Sequence, residues 1–383
     1  MTDFEIPLYG PRIGPAETEA VVSVLKSGWL SAGPVTEDFE GKYAAALGVE
    51  SAVAVSSGTA ALHLAVLALG LGPGDEVVLP SLNFVSAAAA VALSGATPVF
   101  ADVTGPHDLC LDPADAARRI TSRTRAVVAM HYGGHAADLT ALGRLARAHG
   151  IALIEDCAHA PVTDSAHGML GTVGDIGCYS FFATKNLAMG EGGMVVARDP
   201  AVADRIRRLR SHALTVSAQQ RHGGGPAGYD VDALGLNYRP TEIGCAVGRV
   251  QLESLPAAQA RRQDAVRGYR RRLAALPGLV VPFVGRPVED GAHHLLAVVL
   301  PEHVDREALR DRLRAAGIQT GVHYPPTHLF TAYRRRCVGG PDRLPVTEDV
   351  MARQLSLPLH PGIGTAEVLR VTEAMSAAWR EAR

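Results

Sequence analysis

Short β-branched runs alternate with stretches of helical length from residue 51 to about residue 200, and this alternation constrains the fold most strongly. The runs typical of strands are residues 52–57, 75–80, 97–103, 125–132 and 151–158. The Ala-rich or amphipathic stretches that separate several of them are residues 59–70, 84–95 and 138–150. This pattern predicts an α/β domain with a mainly parallel sheet that is covered by helices on both faces.

The chain changes character near residue 250. A helical region runs from about Thr241 to Leu276, with an expected interruption at Pro256. Beyond it, predicted strands and helices are mixed, with strands at 293–301 and 318–324 and helices at 305–317 and 365–383. A chain of 383 residues is long enough for two cores. We therefore predict a large domain with an N-terminal arm, residues 1–250, and a smaller C-terminal α+β domain, residues 251–383.

The composition excludes several classes of protein. Lys and Arg number 37 against 39 Asp and Glu, so no basic field attracts nucleic acid. The five cysteines are scattered and form no CxxC pair, which argues against a disulfide framework or a zinc ribbon. No stretch approaches the roughly 18 consecutive apolar residues of a membrane span. We expect a cytoplasmic protein with neither membrane nor nucleic-acid partners.

Polar residues follow three of the predicted strands. In a parallel sheet the carboxyl ends of the strands form the ligand-binding edge. Ser57, Gly58 and Thr59 follow the first run and open an apolar helix, where free amides, the helix dipole and two hydroxyls could hold a phosphate. An ordinary helix cap is the alternative. Asp156 lies at the end of the run 151–158, and Lys185 follows the run "IGCYSFF".

A phosphorylated cofactor explains these three strand ends better than a nucleotide does. The glycines of "GLGPGDE" precede a strand rather than follow one, and a Walker lysine is absent. Pyridoxal 5′-phosphate (PLP) requires a lysine, a carboxylate at the pyridine nitrogen, a phosphate cup and a flat group against the ring. Lys185 and Asp156 supply the first two, and Ser180 joins the helix start in the cup.

Two further residues are candidates for the faces of the cofactor ring. Phe84 opens a helix after a predicted strand and could stack on the ring, although core packing is the alternative. His159, three residues beyond Asp156, could cover the same ring or hydrogen-bond its 3-hydroxyl. A buried histidine with a local partner is the alternative for His159.

Several motifs occur together in one order: "EDCAHA", "YSFFATKN", "GEGGMV", "LGLNYRPTEIGCAVG" and "GVHYPPTHLFTAY". In this order they resemble the DegT/StrS family of PLP-dependent sugar aminotransferases. The resemblance extends from "SGWLSAGPVTEDFE" to "LSLPLHPGI", which is nearly the whole chain. It implies the type I aspartate-aminotransferase fold, PLP as cofactor and transaminase activity.

The resemblance also implies roles for individual residues. Lys185 would bind the cofactor covalently, Asp156 would contact its ring nitrogen, and Ser180 with Gly58 and Thr59 would hold its phosphate. His159 and Phe84 would lie on the two ring faces. Asn237 would reach the phosphate of a neighbouring subunit, which implies a homodimer with shared active sites. The residues that resemble substrate-contacting loops are Gly28, Trp29, Leu30, Ser31, His323 and Tyr324.

The implied reaction moves an amino group from glutamate or glutamine to a keto-sugar in amino-sugar biosynthesis. A nucleotide-linked keto-deoxysugar is the expected acceptor. A keto-cyclitol of the scyllo-inosose type, in aminocyclitol antibiotic biosynthesis, is the alternative. Two departures concern the mouth of the site: Ala213 stands where relatives usually have glycine, and the loop before Asn237 is long, with three glycines at 223–225.

Three other functions are disfavoured. The related sugar dehydratases have histidine in place of the lysine, so Lys185 favours an aminotransferase. Regulators with an aminotransferase-like domain carry an N-terminal winged helix, whereas the resemblance here begins within the first ten residues. We expect no metal at "HYGGH" (131–135) or "HYPPTH" (323–328), because their central Gly-Gly and Pro-Pro pairs prevent the helix that would align two histidines.

Overall fold

Strands and helices alternate through much of the chain. The structure, a computed structural model, describes residues 4–10, 13–216, 224, 228–334 and 343–381. The strands are Val53–Val55 (β1), Glu76–Pro80 (β2), Thr97–Ala101 (β3), Val103–Gly105 (β4), Asp108–Leu111 (β5), Thr124–Met130 (β6), Ala152–Asp156 (β7), Ile176–Ser180 (β8), Gly193–Ala197 (β9), Leu296–Val299 (β10) and Gln354–Leu357 (β11). The α-helices are Pro15–Ser27 (α1), Pro34–Leu47 (α2), Gly58–Ala68 (α3), Ser86–Leu93 (α4), Pro113–Arg119 (α5), Leu139–His149 (α6), Pro200–Leu209 (α7), Glu242–Leu273 (α8), Arg306–Ala315 (α9), Thr331–Arg334 (α10), Pro345–Arg353 (α11) and Thr365–Glu381 (α12).

Seven strands form one sheet in the order β1-β9-β8-β7-β6-β2-β3. All neighbours from β8 to β3 are parallel, and β9 runs antiparallel to both β8 and β1. The five predicted strands lie within two residues of β1, β2, β3, β6 and β7. The prediction of a mainly parallel sheet is therefore confirmed.

Successive residues of the central strands belong to cores on opposite faces of the sheet. Val127 packs into one core with α2 and α6, whereas Val128 packs into the other with α3, α4 and α7. Leu153 and Ile154 divide in the same way. Because side chains alternate along a strand, a run of consecutive apolar residues can be buried only between two layers. The predicted helical cover on both faces is confirmed.

A third core lies in the C-terminal part of the chain. It includes Val298 of β10, Leu355 of β11, Leu313 of α9 and Val371 of α12, and Ile6 of the N-terminal segment packs into it. The long helix α8 contributes to two cores, since its first half packs into the core with α2 and α6 and its second half into the third. The boundary at residue 250 falls within this helix and stays a prediction.

Two expectations for the C-terminal part are wrong. The helix α8 runs through Pro256 without interruption. A proline inside a helix removes one hydrogen bond, and packing on both sides of that position outweighs the loss. Residues 318–324 form isolated bridges, including Ile318 with Ile6 and Gly321 with Ser356, rather than a strand. The ladder partner of β10 is instead β11, a four-residue strand that we did not predict.

A buried carboxylate joins the start of α8 to the loop before α2. Glu242 accepts hydrogen bonds from the backbone N–H groups of Gly33, Val35 and Thr36, at 2.8 to 2.9 Å. It thereby serves the N-terminus of α2, whose own cap residue, Gly33, has no side chain to do so. The backbone N–H of Glu242 in turn donates to the carbonyl of Leu30. This connection fixes the segment that contains the predicted substrate residues 28–31.

The two sequence departures have different outcomes. Ala213 has a φ of 54°, which lies in the left-handed region that favours glycine. The backbone thus keeps a glycine-like conformation although the residue type differs. Of the three glycines at 223–225, only Gly224 is described, so the run as a whole lies outside the described residues. No helix in the described part of the chain is both long and apolar enough to cross a bilayer.

Candidate active site

Side chains from several strand ends and from the C-terminal part line one cavity. Its volume is about 1050 Å³ including its open mouth. The residues that line it are Tyr9, Ser57, Gly58, Thr59, Leu62, Asn83, Phe84, Ser86, Asp156, Ala158, His159, Ser180, Phe182, Thr184, Lys185, Glu191, His294, His323 and Tyr324. The cavity brings together ten of the predicted site residues.

Lys185 lies in the loop that follows β8. Its backbone N–H donates to the carbonyl of Phe182 at 2.8 Å, which closes a turn and places the side chain at the cavity. The surrounding protein removes hydration from the ammonium group and lowers the pKa of Lys185 to about 8, while the Asp156 carboxylate acts in the opposite direction. Near pH 8, therefore, about half of the lysine is a neutral amine, the form that acts as nucleophile or base.

Asp156 is the last residue of β7 and is buried. Its Oδ2 accepts a hydrogen bond from Nδ2 of Asn83 at 3.0 Å, and its Oδ1 accepts one from the backbone N–H of Ala158 at 3.1 Å. The hydroxyl of Thr327 donates to the carbonyl of Asn83 at 3.2 Å. These contacts fix the carboxylate at the cavity edge.

The start of α3 and the end of β8 form a polar corner. The side chain of Ser57 caps the helix, so the ordinary capping role is present. The backbone N–H groups of Gly58 and Thr59 lie in the first turn, before intrahelical hydrogen bonds begin, and remain available to an anion. A Cβ on Gly58 would lie 2.6 Å from the Cβ of Ser180. Glycine at this position therefore allows the strand to approach the helix closely.

Both ring nitrogens of His159 are engaged by the protein. The backbone N–H of Gly133 donates to Nδ1 at 3.2 Å, so the proton of the neutral ring is on Nε2, which donates to the hydroxyl oxygen of Tyr324 at 2.9 Å. Burial, aided by the positive charge of Lys185, lowers the pKa of His159 well below its usual value. This geometry leaves no nitrogen for the 3-hydroxyl of a cofactor and favours the ring-covering role.

Phe84 is 55% exposed, which excludes the alternative of core packing. Its ring contacts that of Tyr324 edge-on, with the centroids 5.7 Å apart. Together with Phe182, it gives the mouth of the cavity an apolar surface. A flat ring placed in the cavity would therefore meet aromatic and apolar groups as well as polar ones.

Five of the predicted residues do not line this cavity. Asn237 is exposed, and the backbone on either side of it is bonded elsewhere, with Tyr238 donating to the carbonyl of Arg210. The residues Gly28, Trp29, Leu30 and Ser31 follow α1 and are likewise absent from the lining of the cavity. Their roles stay predictions.

Sequence reasoning missed nine of the lining residues, and three of these, Asn83, Tyr9 and His294, make polar side-chain contacts that hold the site together. Asn83 directly precedes Phe84 in "PSLNF", so its position after β2 was a signal that could have identified it. Tyr9 and His294 lie far from any predicted strand end of the large sheet. They reach the cavity because the N-terminal segment and the C-terminal part fold against its edge.

One group of possible metal ligands occurs among the described residues. The ligand atoms of His131, Glu155 and Cys157 lie within 4.8 Å of one another. Hydrogen bonds account for the polar atoms of the first two, because Glu155 accepts from Nε2 of His131 and from the backbone N–H groups of Gly171 and Val173. This cluster therefore serves the packing of the loop after β7.

The cavity meets the four requirements of PLP. Lys185 is a lysine of lowered pKa, and Asp156 is an oriented carboxylate. The α3 start with Ser180 forms a corner that a Cβ on Gly58 would close, which is the shape expected of a phosphate cup. The residues present thus fit the cofactor, and the fold and the site together define a PLP-dependent enzyme.

Comparison with known proteins identifies the family. A model of the DegT/DnrJ/EryC1/StrS aminotransferase family matches residues 11–376, and the chain belongs to this family. The dTDP-4-dehydro-2,3,6-trideoxy-D-glucose 4-aminotransferase of Saccharopolyspora spinosa is 40% identical over 379 residues, which cover 97% of this chain and 96% of that protein. The spore coat polysaccharide biosynthesis protein SpsC of Bacillus subtilis (strain 168) is 39% identical over 377 residues, with the same coverage. The crystal structure of the aminotransferase TlmJ from Streptoalloteichus hindustanus superposes with a TM-score of 0.90 at 37% identity, covering 98% of this chain and 99% of that one.

These findings confirm four of the sequence-based predictions. The protein is a member of the predicted family, has the type I PLP-transferase fold, is an aminotransferase and uses PLP. The roles of the individual site residues are not tested by the comparisons and stay predictions.

The lowered pKa of Lys185 predicts how cofactor capture depends on pH. Capture of PLP by the apoenzyme should accelerate as the pH rises through about 8 and then level off, because the neutral amine saturates. An ordinary lysine, with a pKa near ~10.4, would keep gaining about tenfold per pH unit beyond that point. Stopped-flow absorbance measures the rate. Borohydride reduction and peptide mass analysis should then place the pyridoxyl group on Lys185, and a label on Lys26 or Lys42 would contradict the assignment.

The position of Asp156 predicts that its charge, rather than its shape, is needed for catalysis. The Asp156→Asn variant should fold and bind PLP but lose roughly hundredfold or more in turnover, a typical cost of removing one preorganised electrostatic contact. Steady-state transamination at saturating cofactor measures the loss. The matched control, Asp164→Asn, changes an exposed carboxylate on the loop after β7 and should keep its activity. Near wild-type turnover in the Asp156 variant would show that another group holds the ring nitrogen.

Proposed function

We propose that this enzyme transfers an amino group from glutamate or glutamine to a nucleotide-linked keto-deoxysugar in amino-sugar biosynthesis. The observation that supports the proposal is one cavity that Lys185 and Asp156 line together with the polar corner at the start of α3 and the aromatic side chains at its mouth. The name of the Saccharopolyspora spinosa relative, which describes a nucleotide-linked 4-keto sugar as substrate, supports this class of acceptor.

The residues of the cavity have separate tasks in this reaction. PLP, when bound, supplies an electron sink that stabilises negative charge at the carbon that carries the amino group. Asp156 would keep the proton on the ring nitrogen, and the amides of Gly58 and Thr59 with the hydroxyl of Ser180 would hold the phosphate. His159 would cover one face of the ring.

Lys185 would carry out the proton transfers. Its lowered pKa leaves a free amine at mildly alkaline pH, and this amine can remove a proton from one carbon and, once protonated, deliver it to another, as amino transfer requires. Proximity to Asp156 keeps part of the lysine protonated at neutral pH, so both forms are populated in the range where the enzyme would work. The surrounding rings of His159 and Tyr324 exclude water from one side of the cavity.

We also propose that the active unit is a homodimer in which Asn237 completes the site of the neighbouring subunit. Asn237 is exposed and lies outside the cavity of its own chain. Large apolar side chains are exposed at the cavity and in the segment before Asn237, among them Phe182 and Leu234. A two-fold interface would bury such a surface and make the two sites equivalent.

The acceptor class can be tested with purified enzyme loaded with PLP. With glutamate or glutamine as donor, we expect amination of dTDP- or UDP-linked 4-keto-6-deoxy sugars, measured by the mass of the amino-sugar product. The Lys185→Ala variant is the negative control. If the enzyme aminates scyllo-inosose but none of the nucleotide-linked sugars, the proposal is wrong and the cyclitol alternative is favoured.

The shared site can be tested by mixing two inactive variants. A hybrid dimer of a Lys185→Ala chain and an Asn237→Ala chain has both lesions in one site and neither in the other. Mixing should therefore restore activity, up to one intact site per hybrid dimer, as measured by turnover after subunit exchange. A mixture of Lys185→Ala with Asp156→Ala is the matched control, because both of these residues line the cavity of the same chain. If subunits exchange and neither mixture gains activity, the shared-site proposal is wrong.

A further inference from the structure

The N-terminal segment places a tyrosine hydroxyl at the active-site cavity. The backbone N–H of Leu8 donates to Oε1 of Gln319 at 2.9 Å, and Ile6 exchanges backbone hydrogen bonds with Gly317 and Gln319. The next residue, Tyr9, lines the cavity with Lys185. Its ring is stacked with that of His294, at 6.1 Å between centroids and an interplanar angle of 22°. Tyr9 is therefore held in place on both its backbone and its ring.

A chain of hydrogen bonds that begins in β11 determines whether the Tyr9 hydroxyl accepts or donates a hydrogen bond toward His323. The backbone N–H of His323 donates to Oε1 of Gln354 at 3.0 Å, which leaves the amide nitrogen of Gln354 to donate to Oγ of Ser356 at 2.8 Å. The Ser356 hydroxyl lies 2.8 Å from Nδ1 of His323. Nε2 of His323 lies 2.6 Å from the hydroxyl oxygen of Tyr9.

Only one assignment of the protons satisfies every member of this chain. Ser356 is buried, and its hydrogen has Nδ1 of His323 as acceptor. The opposite assignment would leave that hydrogen without a partner, at a cost of about 1–3 kcal/mol. With Nδ1 accepting, the proton of the neutral His323 ring is on Nε2 and is donated to Tyr9. The hydrogen of the Tyr9 hydroxyl is then free for a ligand.

Tyr324 presents a second hydroxyl hydrogen by the same principle. Its oxygen accepts the Nε2 hydrogen of His159, whose tautomer is set by the backbone N–H of Gly133. Burial raises the pKa of both Tyr9 and Tyr324, so both hydroxyls keep their hydrogens. Two neutral donors with fixed roles therefore line the cavity.

The charge of the cavity indicates which ligand these donors suit. Among its described lining residues, Lys185 is the only lysine or arginine. Three histidines lie beside these groups: His159 and His323 are hydrogen-bonded to the tyrosines, and His294 is hydrogen-bonded to Asn186. All three are neutral, because burial lowers their pKa. A phosphate or carboxylate at this position would find no arginine among the described lining residues and no lysine besides Lys185, whereas an uncharged oxygen needs only a donor.

We propose that Tyr9 selects acceptor sugars that keep a ring hydroxyl near the reacting carbonyl, by donating a hydrogen bond to that hydroxyl. The proposal rests on the proposed function and narrows its acceptor class from nucleotide-linked keto-deoxysugars in general to those that keep a ring hydroxyl near the carbonyl. A site built to pair with a substrate hydroxyl discriminates strongly against an analogue that lacks it, because its own polar group is then left unpaired. Ser356 acts on this selection as a positioning residue through His323.

The test pairs two substrates with two forms of the enzyme. One substrate, dTDP-4-dehydro-6-deoxy-D-glucose, keeps its 2- and 3-hydroxyls, and the other, dTDP-4-dehydro-2,3,6-trideoxy-D-glucose, lacks both. The wild-type enzyme should have the higher kcat/KM for the hydroxylated sugar. The Tyr9→Phe variant should lose roughly tenfold or more of that value, the size expected for one lost hydrogen bond, and keep its value for the trideoxy sugar.

Two controls separate the hydrogen bond from general damage. Tyr269→Phe removes a buried hydroxyl that donates to the carbonyl of Pro358, away from the cavity, and should leave the ratio of the two kcat/KM values unchanged. Ser356→Ala should reduce the ratio of the two kcat/KM values in part, because the proton of the His323 ring is then no longer fixed on Nε2. The reaction with glutamate alone, followed by absorbance, should have the same rate in Tyr9→Phe as in the wild type.

The outcomes distinguish this inference from the proposed function. If the wild-type enzyme aminates neither of these sugars nor a UDP-linked 4-keto-6-deoxy sugar, the acceptor class proposed above is wrong. If the wild type aminates them and Tyr9→Phe changes both kcat/KM values by the same factor, Tyr9 does not select the hydroxyl and the inference is wrong. An equal slowing of the glutamate reaction would likewise overturn it, because Tyr9 would then serve the donor as much as the acceptor.

Discussion

The burial of the sheet on both faces is the constraint on which the rest of the structure depends. Val127 and Val128 pack into opposite cores, and a polar side chain at either position would lose its water without gaining a partner. Polar chemistry is therefore confined to the strand ends. Asp156 is the last residue of β7 and Ser180 the last of β8, so the parallel direction of these two strands brings them to the same edge. Lys185 reaches this edge from the loop that follows β8.

The same exclusion of water sets the protonation states in the cavity. Burial disfavours every charged form, so it lowers the pKa of Lys185 and of the histidines and raises that of the tyrosines. Lys185 retains partial charge because Asp156 lies near it. The histidines are neutral, and hydrogen bonds from the backbone N–H of Gly133 and from the hydroxyl of Ser356 fix the tautomers of His159 and His323. A cavity with few charges can use hydrogen-bond direction for recognition, because fixed neutral donors discriminate by geometry.

The sequence predicted the sheet and the residues next to its strands, and the reason lies in periodicity. Short apolar runs identify strands, and the residues that follow them, such as Asp156, become candidates without knowledge of the fold. The same reasoning could not find Tyr9, because its position depends on backbone pairing with Gly317 and Gln319, more than three hundred residues away. The predicted strand at 318–324 failed for a related reason. Its neighbours on the two sides offer single bridges rather than a ladder, and local sequence does not reveal which partner is present.

Different parts of the chain carry the residues of the chemistry and the residues that we propose to recognise the acceptor. Lys185 and Asp156 are carried by the sheet, whereas Tyr9 and His323 are carried by segments that pair with the C-terminal part through Gln319 and Ser356. Substitutions in those segments would alter the recognition of the acceptor without moving the lysine or the carboxylate, because the two sets share no hydrogen bond in the described structure. Indirect contacts between the sets run through His159, whose ring lies beside Tyr324 and His294, and through Asn83, which joins Thr327 to Asp156. A change of acceptor is therefore compatible with unchanged chemistry as long as the His159 tautomer is kept.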